Sequence, residues 1–271
     1  MTESQPAGEV PGTVGPAAAD GVIDLLGLLA YAELDAFFRL AEDAALAPSL
    51  ADKAALGGMA VAEFSHFERI RDELQQLGAD PGQAMQPFTG PLDDFHVRTA
   101  PSDWLESLVK AYVGDGIAAD FYRAVAEVLE PGPRALVLEV LADTGHAQFA
   151  VEHVRAAIAA DPTVAGRLAL WARRLVGEAL GQAQRVAAQR PALACLLVPV
   201  PRPAVAAESA ESIGSAQGAE PAQGTGSAQG AEPAVGVGPA AEVSQLGEIG
   251  RMFARLTDAH AQRMSVLGLS A

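Results

Sequence analysis

A carboxylate and an imidazole three residues apart are the first pair in this sequence that could do chemistry. Glu63 and His66 stand in the segment Met-Ala-Val-Ala-Glu-Phe-Ser-His-Phe-Glu-Arg-Ile, residues 59–70. Side chains three residues apart lie on the same face of a helix, so this pair could bind one metal ion. Asp143 and His146 have the same spacing further along the chain. The two pairs together predict a metal site with contributions from distant segments.

Four segments with apolar residues at steps of three and four would position these pairs on helices. They cover about residues 21–46, about residues 50–77, a segment that begins at Ser102 as N-cap, and a segment that follows Pro131-Gly132-Pro133 and ends near Ala160. Each segment has one carboxylate on its apolar face, and the four are Glu33, Glu63, Asp115 and Asp143. We therefore expect four acidic side chains to point into one helical core.

Four buried carboxylates need compensating positive charge, since an uncompensated charge in a core costs several kcal/mol or more. No Lys or Arg lies on the four apolar faces, whereas two divalent cations would balance the charge. Carboxylate and imidazole ligands suit iron, manganese or zinc. The predicted ligands are Glu33, Glu63, His66, Asp115, Asp143 and His146. Asp120 and Glu139 remain alternatives to Asp115 as the ligand that completes the site.

The remaining segments complete an all-α plan. Residues 79–100 are predicted to be a long connection without regular structure, which indicates a crossover between distant helix ends. A fifth helix is expected from Asp161-Pro162 to about Gln189, with a basic face of Arg167, Arg173, Arg174, Arg185 and Arg190. We divide the chain into a disordered tail (1–20), a helical bundle domain (21–200), a low-complexity acidic linker (201–241) and a C-terminal helix packed on the bundle (242–271).

Composition limits the function classes. The 271 residues have a net charge of -16, which argues against nucleic-acid binding by the whole surface. The single cysteine, Cys195, permits no internal disulfide and suits a reducing cytoplasm. A basic n-region and an apolar run of about 20 residues are both missing, so we expect neither a secretory signal nor a membrane span.

Four short segments resemble a known family. They are Leu-Leu-Ala-Tyr-Ala-Glu33, Ala-Glu63-Phe-Ser-His66-Phe-Glu, Leu-Val-Lys-Ala-Tyr-Val-Gly-Asp115-Gly and Ala-Asp143-Thr-Gly-His146. Over roughly residues 20–195 the chain resembles the ferritin-like proteins grouped with tRNA 2-methylthio-isopentenyladenosine hydroxylase, and within that group its hydroxylase-like branch. The resemblance implies an antiparallel ferritin-like four-helix bundle with a long crossover and additional C-terminal helices. It also implies a non-haem di-iron site that activates dioxygen, with the same six ligands.

The leading hypothesis is therefore a di-iron oxygenase that hydroxylates a C–H bond of a small molecule or of tRNA and takes electrons from a donor. Two other interpretations stay open. One is a manganese catalase-like or other peroxide-handling protein. The other is a non-catalytic helical module that binds a partner through the basic fifth helix or the acidic linker. The sequence determines neither the metal, nor the substrate, nor the oligomeric state.

Overall fold

The computed structural model describes residues 16–141, 146–196 and 239–269. Most of the predicted N-terminal tail and most of the predicted acidic linker lie outside the described residues. Within them every regular element is helical, as the sequence predicts: α1 (Pro16–Asp43), α2 (Leu50–Gln76), α3 (Pro81–Arg98), α4 (Trp104–Ala126), α5 (Pro131–Val140), α6 (His146–Ala160), α7 (Val164–Gln189), α8 (Pro191–Leu196) and α9 (Pro239–Leu267).

Helices α1 and α2 form a long antiparallel pair. A 3₁₀ turn, Ala44–Leu46, follows α1, and the Ser49 side chain caps α2 by accepting a hydrogen bond from the Asp52 N–H. After α2 the chain turns at Gly78, whose φ of 76° favours glycine. The buried faces of the pair contribute Leu25, Leu26, Leu29, Ile70 and Leu74, all with no exposed surface.

The connection after α2 is itself a helix, which corrects the prediction for residues 79–100. Helix α3 begins at Pro81, where proline is well tolerated, and Asp80 caps it by accepting from the Gln83 N–H. Pro87 and Pro91 lie inside α3 and made the segment resemble a loop. Packing outweighs that preference, because Phe88 is completely buried. Helix α3 also approaches α1 so closely that a side chain at Gly27 would collide with the Ala84 carbonyl.

In the second half of the bundle, α4 packs against two shorter helices, α5 and α6. The N-cap of α4 is Asp103 rather than the predicted Ser102. Ser102 instead donates from its N–H and its hydroxyl to the Glu106 carboxylate, at 2.8 and 2.6 Å. Two helices replace the single predicted fourth helix: α5 ends at Val140 and α6 begins at His146, and the residues between 141 and 146 lie outside the described part.

The last helices cover the bundle. Helix α7 begins at Val164 and not directly after Asp161, because the Asp161 carboxylate accepts from the Thr163 N–H and hydroxyl and so belongs to a preceding turn. Helix α9 packs on α4, α6 and α7 and buries Met252, Leu256, Met264 and Leu267. None of the described helices is both long enough and apolar enough to cross a bilayer.

Candidate metal centre

Three of the predicted ligands form a compact group between α1 and α2. Glu33 comes from α1, and Glu63 and His66 come from successive turns of α2, so the predicted helical spacing places the last two side by side. The Nδ1 atom of His66 lies 3.4 Å from Glu33 Oε2 and 3.5 Å from Glu63 Oε2. One donor atom of each residue lies within 4.8 Å of the others, an arrangement that could hold a metal ion.

His146 and Asp115 extend the group toward α4 and α6. The second oxygen of Glu63, Oε1, lies 3.1 Å from His146 Nδ1, and Asp115 Oδ2 lies 3.8 Å from the same nitrogen. Glu63 is thus placed between two histidines, with one carboxylate oxygen toward each. Asp143 lies outside the described residues, so its predicted role stays a prediction. Five of the six predicted ligands therefore form one continuous cluster.

The two alternative ligands have other partners. Asp120 forms an ion pair with Arg263 of α9 and a second one with Arg123 at 3.4 Å. Glu139 forms an ion pair with Arg69, and 59% of its side chain is exposed. Asp120 still lines the same cavity as the cluster, whereas Glu139 lies on the surface. This geometry favours Asp115 over Asp120 and Glu139 as a metal ligand.

A cavity of about 380 Å³ opens beside the cluster. Its wall contains the five clustered residues together with Tyr112, Tyr122, Arg123 and Arg263. Tyr122 is 4% exposed, and burial, followed by the charge of Glu33, raises the pKa of its hydroxyl. The hydroxyl therefore stays protonated at neutral pH and is available as a hydrogen-bond donor. The sequence placed Tyr122 on a buried face but gave no signal that it lines the site.

Burial and close charges shift the pKa values in the cluster. Burial raises the pKa of Glu33, and the adjacent Glu63 carboxylate raises it further. Burial also opposes ionisation of Glu63, but hydrogen bonding to His66 and Glu33 and the charge of His146 outweigh it and lower its pKa. The carboxylates of Glu33 and then Glu63 raise the pKa of His66 to about 9. The metal-free cluster therefore retains the His66 proton at neutral pH, and a cation would displace it.

A second pair, Asp35 and His96, joins α1 to α3 two residues along α1 from Glu33, and it was not predicted. Asp35 Oδ2 lies 2.8 Å from His96 Nε2, and Asp35 Oδ1 lies 3.4 Å from Arg39. Because the pair joins α1 to α3, only recognition of α3 as a helix could have revealed it. Tyr31 makes another such link, donating to Asp93 at 2.5 Å.

The side chains of the cluster fit a metal ion. Glu33 Oε2 and His66 Nδ1 are buried and contact each other at 3.4 Å without the geometry of a hydrogen bond, although buried polar atoms are normally well paired. Both atoms are common metal-ligand atoms, and both face the centre of the group. Mixed carboxylate and imidazole ligands suit iron, manganese or zinc. A cation would satisfy these atoms and would neutralise the buried carboxylates.

The comparison with known families agrees with the fold. No curated protein matches the sequence. A family model described as a ferritin-like domain of actinomycetes matches residues 17–199, which covers α1 to α8 and every predicted ligand. The match extends over well more than half of the 271 residues. The chain therefore belongs to this ferritin-like family.

Proposed function

We propose that the protein is a dinuclear non-haem iron oxygenase of the hydroxylase-like type. The single observation that carries this proposal is the position of Glu63, with Oε2 at 3.5 Å from His66 Nδ1 and Oε1 at 3.1 Å from His146 Nδ1. A carboxylate placed between two imidazoles is suited to two cations rather than one. The ferritin-like family supports the same interpretation, because bundles of this kind build dinuclear carboxylate sites from facing helices.

Glu33, Glu63 and His66 would hold one ion, while Glu63, His146 and Asp115 would hold the other, with Asp143 predicted to complete the set. When bound, two iron ions supply the activation of dioxygen for insertion of an oxygen atom into a C–H bond. The protein contributes the neutral Tyr122 hydroxyl to the wall of the cavity beside the ligands. The Arg263 guanidinium donates to the Gly116 carbonyl at 2.7 Å and holds α9 against this end of the cavity.

The size of the cavity favours an organic substrate over peroxide. A space of about 380 Å³ falls within the range of about 300–1,000 Å³ that is typical of small-molecule sites. A peroxide-handling centre needs room for only two oxygen atoms and their protons. The manganese peroxidatic interpretation shares the same ligands, but it does not account for this space.

The surface of α7 favours a small molecule over tRNA. Arg167 pairs with Glu106 and Asp103 at 2.5 and 2.8 Å, and Arg185 pairs with Asp94 at 2.8 Å. Arg190 pairs with Asp24, and Arg174 donates to the Arg98 carbonyl at 2.6 Å. These cations hold α7 against α1, α3 and α4. They are therefore poorly placed to bind phosphates, which binding of nucleic acid would require.

Oxygen consumption tests the proposed function. The metal-free protein is loaded with Fe(II) under anaerobic conditions and mixed with oxygenated buffer, while dissolved oxygen and the absorption spectrum are recorded. We expect rapid oxygen uptake that depends on His146 and is lost in His146→Ala. The surface variant His153→Gln is the control, because His153 pairs with Asp52 at 2.9 Å outside the cluster. Oxygen uptake no faster than that of free Fe(II) would contradict the proposal.

A further inference from the structure

A second cavity, of about 250 Å³, lies on the other side of the wall that closes the first one. Five residues line both spaces: Ala32, Ala36, Asp115, Ala118 and Tyr122. Three of them are alanines, so the wall between the cavities is thin. Asp115 lines both cavities. Its side chain is therefore 53% exposed although it lies inside the bundle. A molecule in the second cavity could therefore contact Asp115, one of the predicted metal ligands.

The second cavity is elongated and mainly apolar. It follows one face of α4, where Lys110, Gly114, Ile117 and Phe121 succeed each other at steps of four, three and four. Eleven residues of helix span about 16 Å. Most of the remaining wall is apolar and includes Leu28, Leu40, Leu92 and Phe95. Added side-chain atoms at Gly114 would meet open space. The shape suits a narrow molecule with an apolar body.

One end of this cavity carries a buried cation with incomplete compensation. Lys110 is only 7% exposed, and no hydrogen bond or ion pair within the described residues holds its ammonium group. The ring of Phe95 lies 5.6 Å from Nζ, and Asp43 attracts it over a longer distance. Arg39, at the same end, is already paired with Asp35 and Glu42. A buried ammonium without a close partner is costly and is suited to an incoming anion.

A second unpaired polar group faces the same space from α7. Gln182 is 6% exposed, lines the cavity, and its Oε1 atom has no hydrogen-bond partner in the described part of the chain. Because the amide oxygen and nitrogen can exchange places by rotation, Gln182 can either accept or donate. Buried polar groups are normally paired. Two of them along an apolar cavity indicate a ligand with polar atoms.

We propose that this second cavity binds a small carboxylic acid with an apolar body, its carboxylate at Lys110 and its apolar part directed toward Asp115. Identification of this acid as the substrate rests on the proposed function, whereas binding of the acid in the cavity requires no metal. Lys110 and Asp115 are separated by five residues, or about 7 Å along α4. The carbon nearest the centre would accordingly be several bonds from the carboxylate.

Binding of hexanoate to the metal-free full-length protein, measured by calorimetry, tests the charge. We expect hexanoate to bind more tightly than 1-hexanol, and Lys110→Met to weaken hexanoate binding by more than about tenfold. Lys53→Met is the matched control, since Lys53 is exposed on α2, and it should bind hexanoate like the unchanged protein. Absence of hexanoate binding at millimolar concentration, or equal binding by Lys110→Met, would overturn the proposal.

A cavity-filling variant tests the location independently of the charge. Ala179 lines the second cavity from α7 and does not line the first one, so Ala179→Leu should abolish hexanoate binding while the metal content stays unchanged. Ala188→Leu adds the same atoms at an exposed position of α7 and should leave binding intact. Hexanoate binding by Ala179→Leu as tight as that of the unchanged protein would refute this location. Failure of the unchanged protein to bind metal, with hexanoate binding intact, would contradict the proposed function but not the binding of the acid in this cavity.

Discussion

Glu63 and His146 lie 3.1 Å apart, from Oε1 to Nδ1, although α3, α4 and α5 separate them along the chain. This contact joins the α1–α2 pair to the α4–α6 pair at the centre of the bundle. It brings the Glu63-x-x-His66 motif and His146 into one cluster. Because the other Glu63 oxygen faces His66, loss of this one carboxylate would affect both halves of the cluster.

Asparagine variants at Asp115 and Asp120 should separate a metal ligand from a structural acid. Asp115→Asn removes a charge 3.8 Å from His146 and should reduce the metal content by about one ion per chain. Asp120→Asn weakens only the ion pairs to Arg263 and Arg123 and should leave the metal content unchanged. Elemental analysis of both purified variants decides this. The reverse pattern would identify Asp120 as the ligand.

Metal affinity should increase with pH. Binding requires a neutral His66 and an ionised Glu33, whereas the neighbouring carboxylates raise the pKa of His66 to about 9 and burial raises that of Glu33. Between pH 6 and 8, each displaced proton should increase the affinity for Mn(II) by about tenfold per pH unit. Calorimetry in buffers with different ionisation enthalpies would also count the released protons. An affinity that does not change over this range would contradict the predicted protonation of the cluster.

Without metal, the protein should become less stable as pH rises from 6.5 to 8. His66 has a pKa of about 9 in the folded chain against 6.5 as its ordinary value, so the folded state binds the extra proton over this range. The stabilisation is fully present below pH 6.5 and is lost on the approach to pH 9. We expect the free energy of unfolding in urea to fall by about 2 kcal/mol.

The upper limit of pH 8 keeps small the contribution of Lys110 to the free energy of unfolding, which has the opposite sign. Burial lowers the pKa of Lys110 to about 8, so Lys110 adds stability as the pH rises further. His66→Gln should reduce the decrease in the free energy of unfolding, since Glu33, whose pKa burial also raises, contributes in the same direction. His153→Gln should retain the full decrease. A decrease of equal size in His66→Gln would assign the effect to another group.

Arg263 should stabilise the packing of α9 on α4. It donates to the Gly116 carbonyl at 2.7 Å and pairs with Asp120. Arg263→Met should lower the free energy of unfolding by about 1–3 kcal/mol, because buried polar partners lose their donor. Arg255→Met, at an exposed position of α9, is the control. Equal stability of the two variants would show that α9 packs through its apolar residues alone.

The all-α class and the approximate positions of α1, α2, α4 and α7 could be predicted because apolar residues recur with helical spacing along long segments. The same spacing gave the residues of the cluster, since a carboxylate such as Glu33 or Asp115 interrupts an apolar face.

Helix α3 was missed because Pro87 and Pro91 are strong local signals against a helix, and only tertiary burial of Phe88 outweighs them. With α3 missing, the Asp35–His96 pair could not be inferred. The partners of Arg185 and Arg174 were missed for the same reason, since Asp94 and the Arg98 carbonyl belong to α3. Contacts between distant elements have no periodic signature in the sequence.

The metal content per chain tests the central claim most directly. Metal-free protein is saturated with Fe(II) under anaerobic conditions, separated from unbound metal, and analysed for iron, with circular dichroism to verify the fold. We predict close to two ions per chain, a loss of at least one ion in Glu63→Gln, and no change in Glu68→Gln, a half-exposed acid on the same helix. A folded chain that retains no iron, or that binds equally well without the Glu63 carboxylate, would contradict the account.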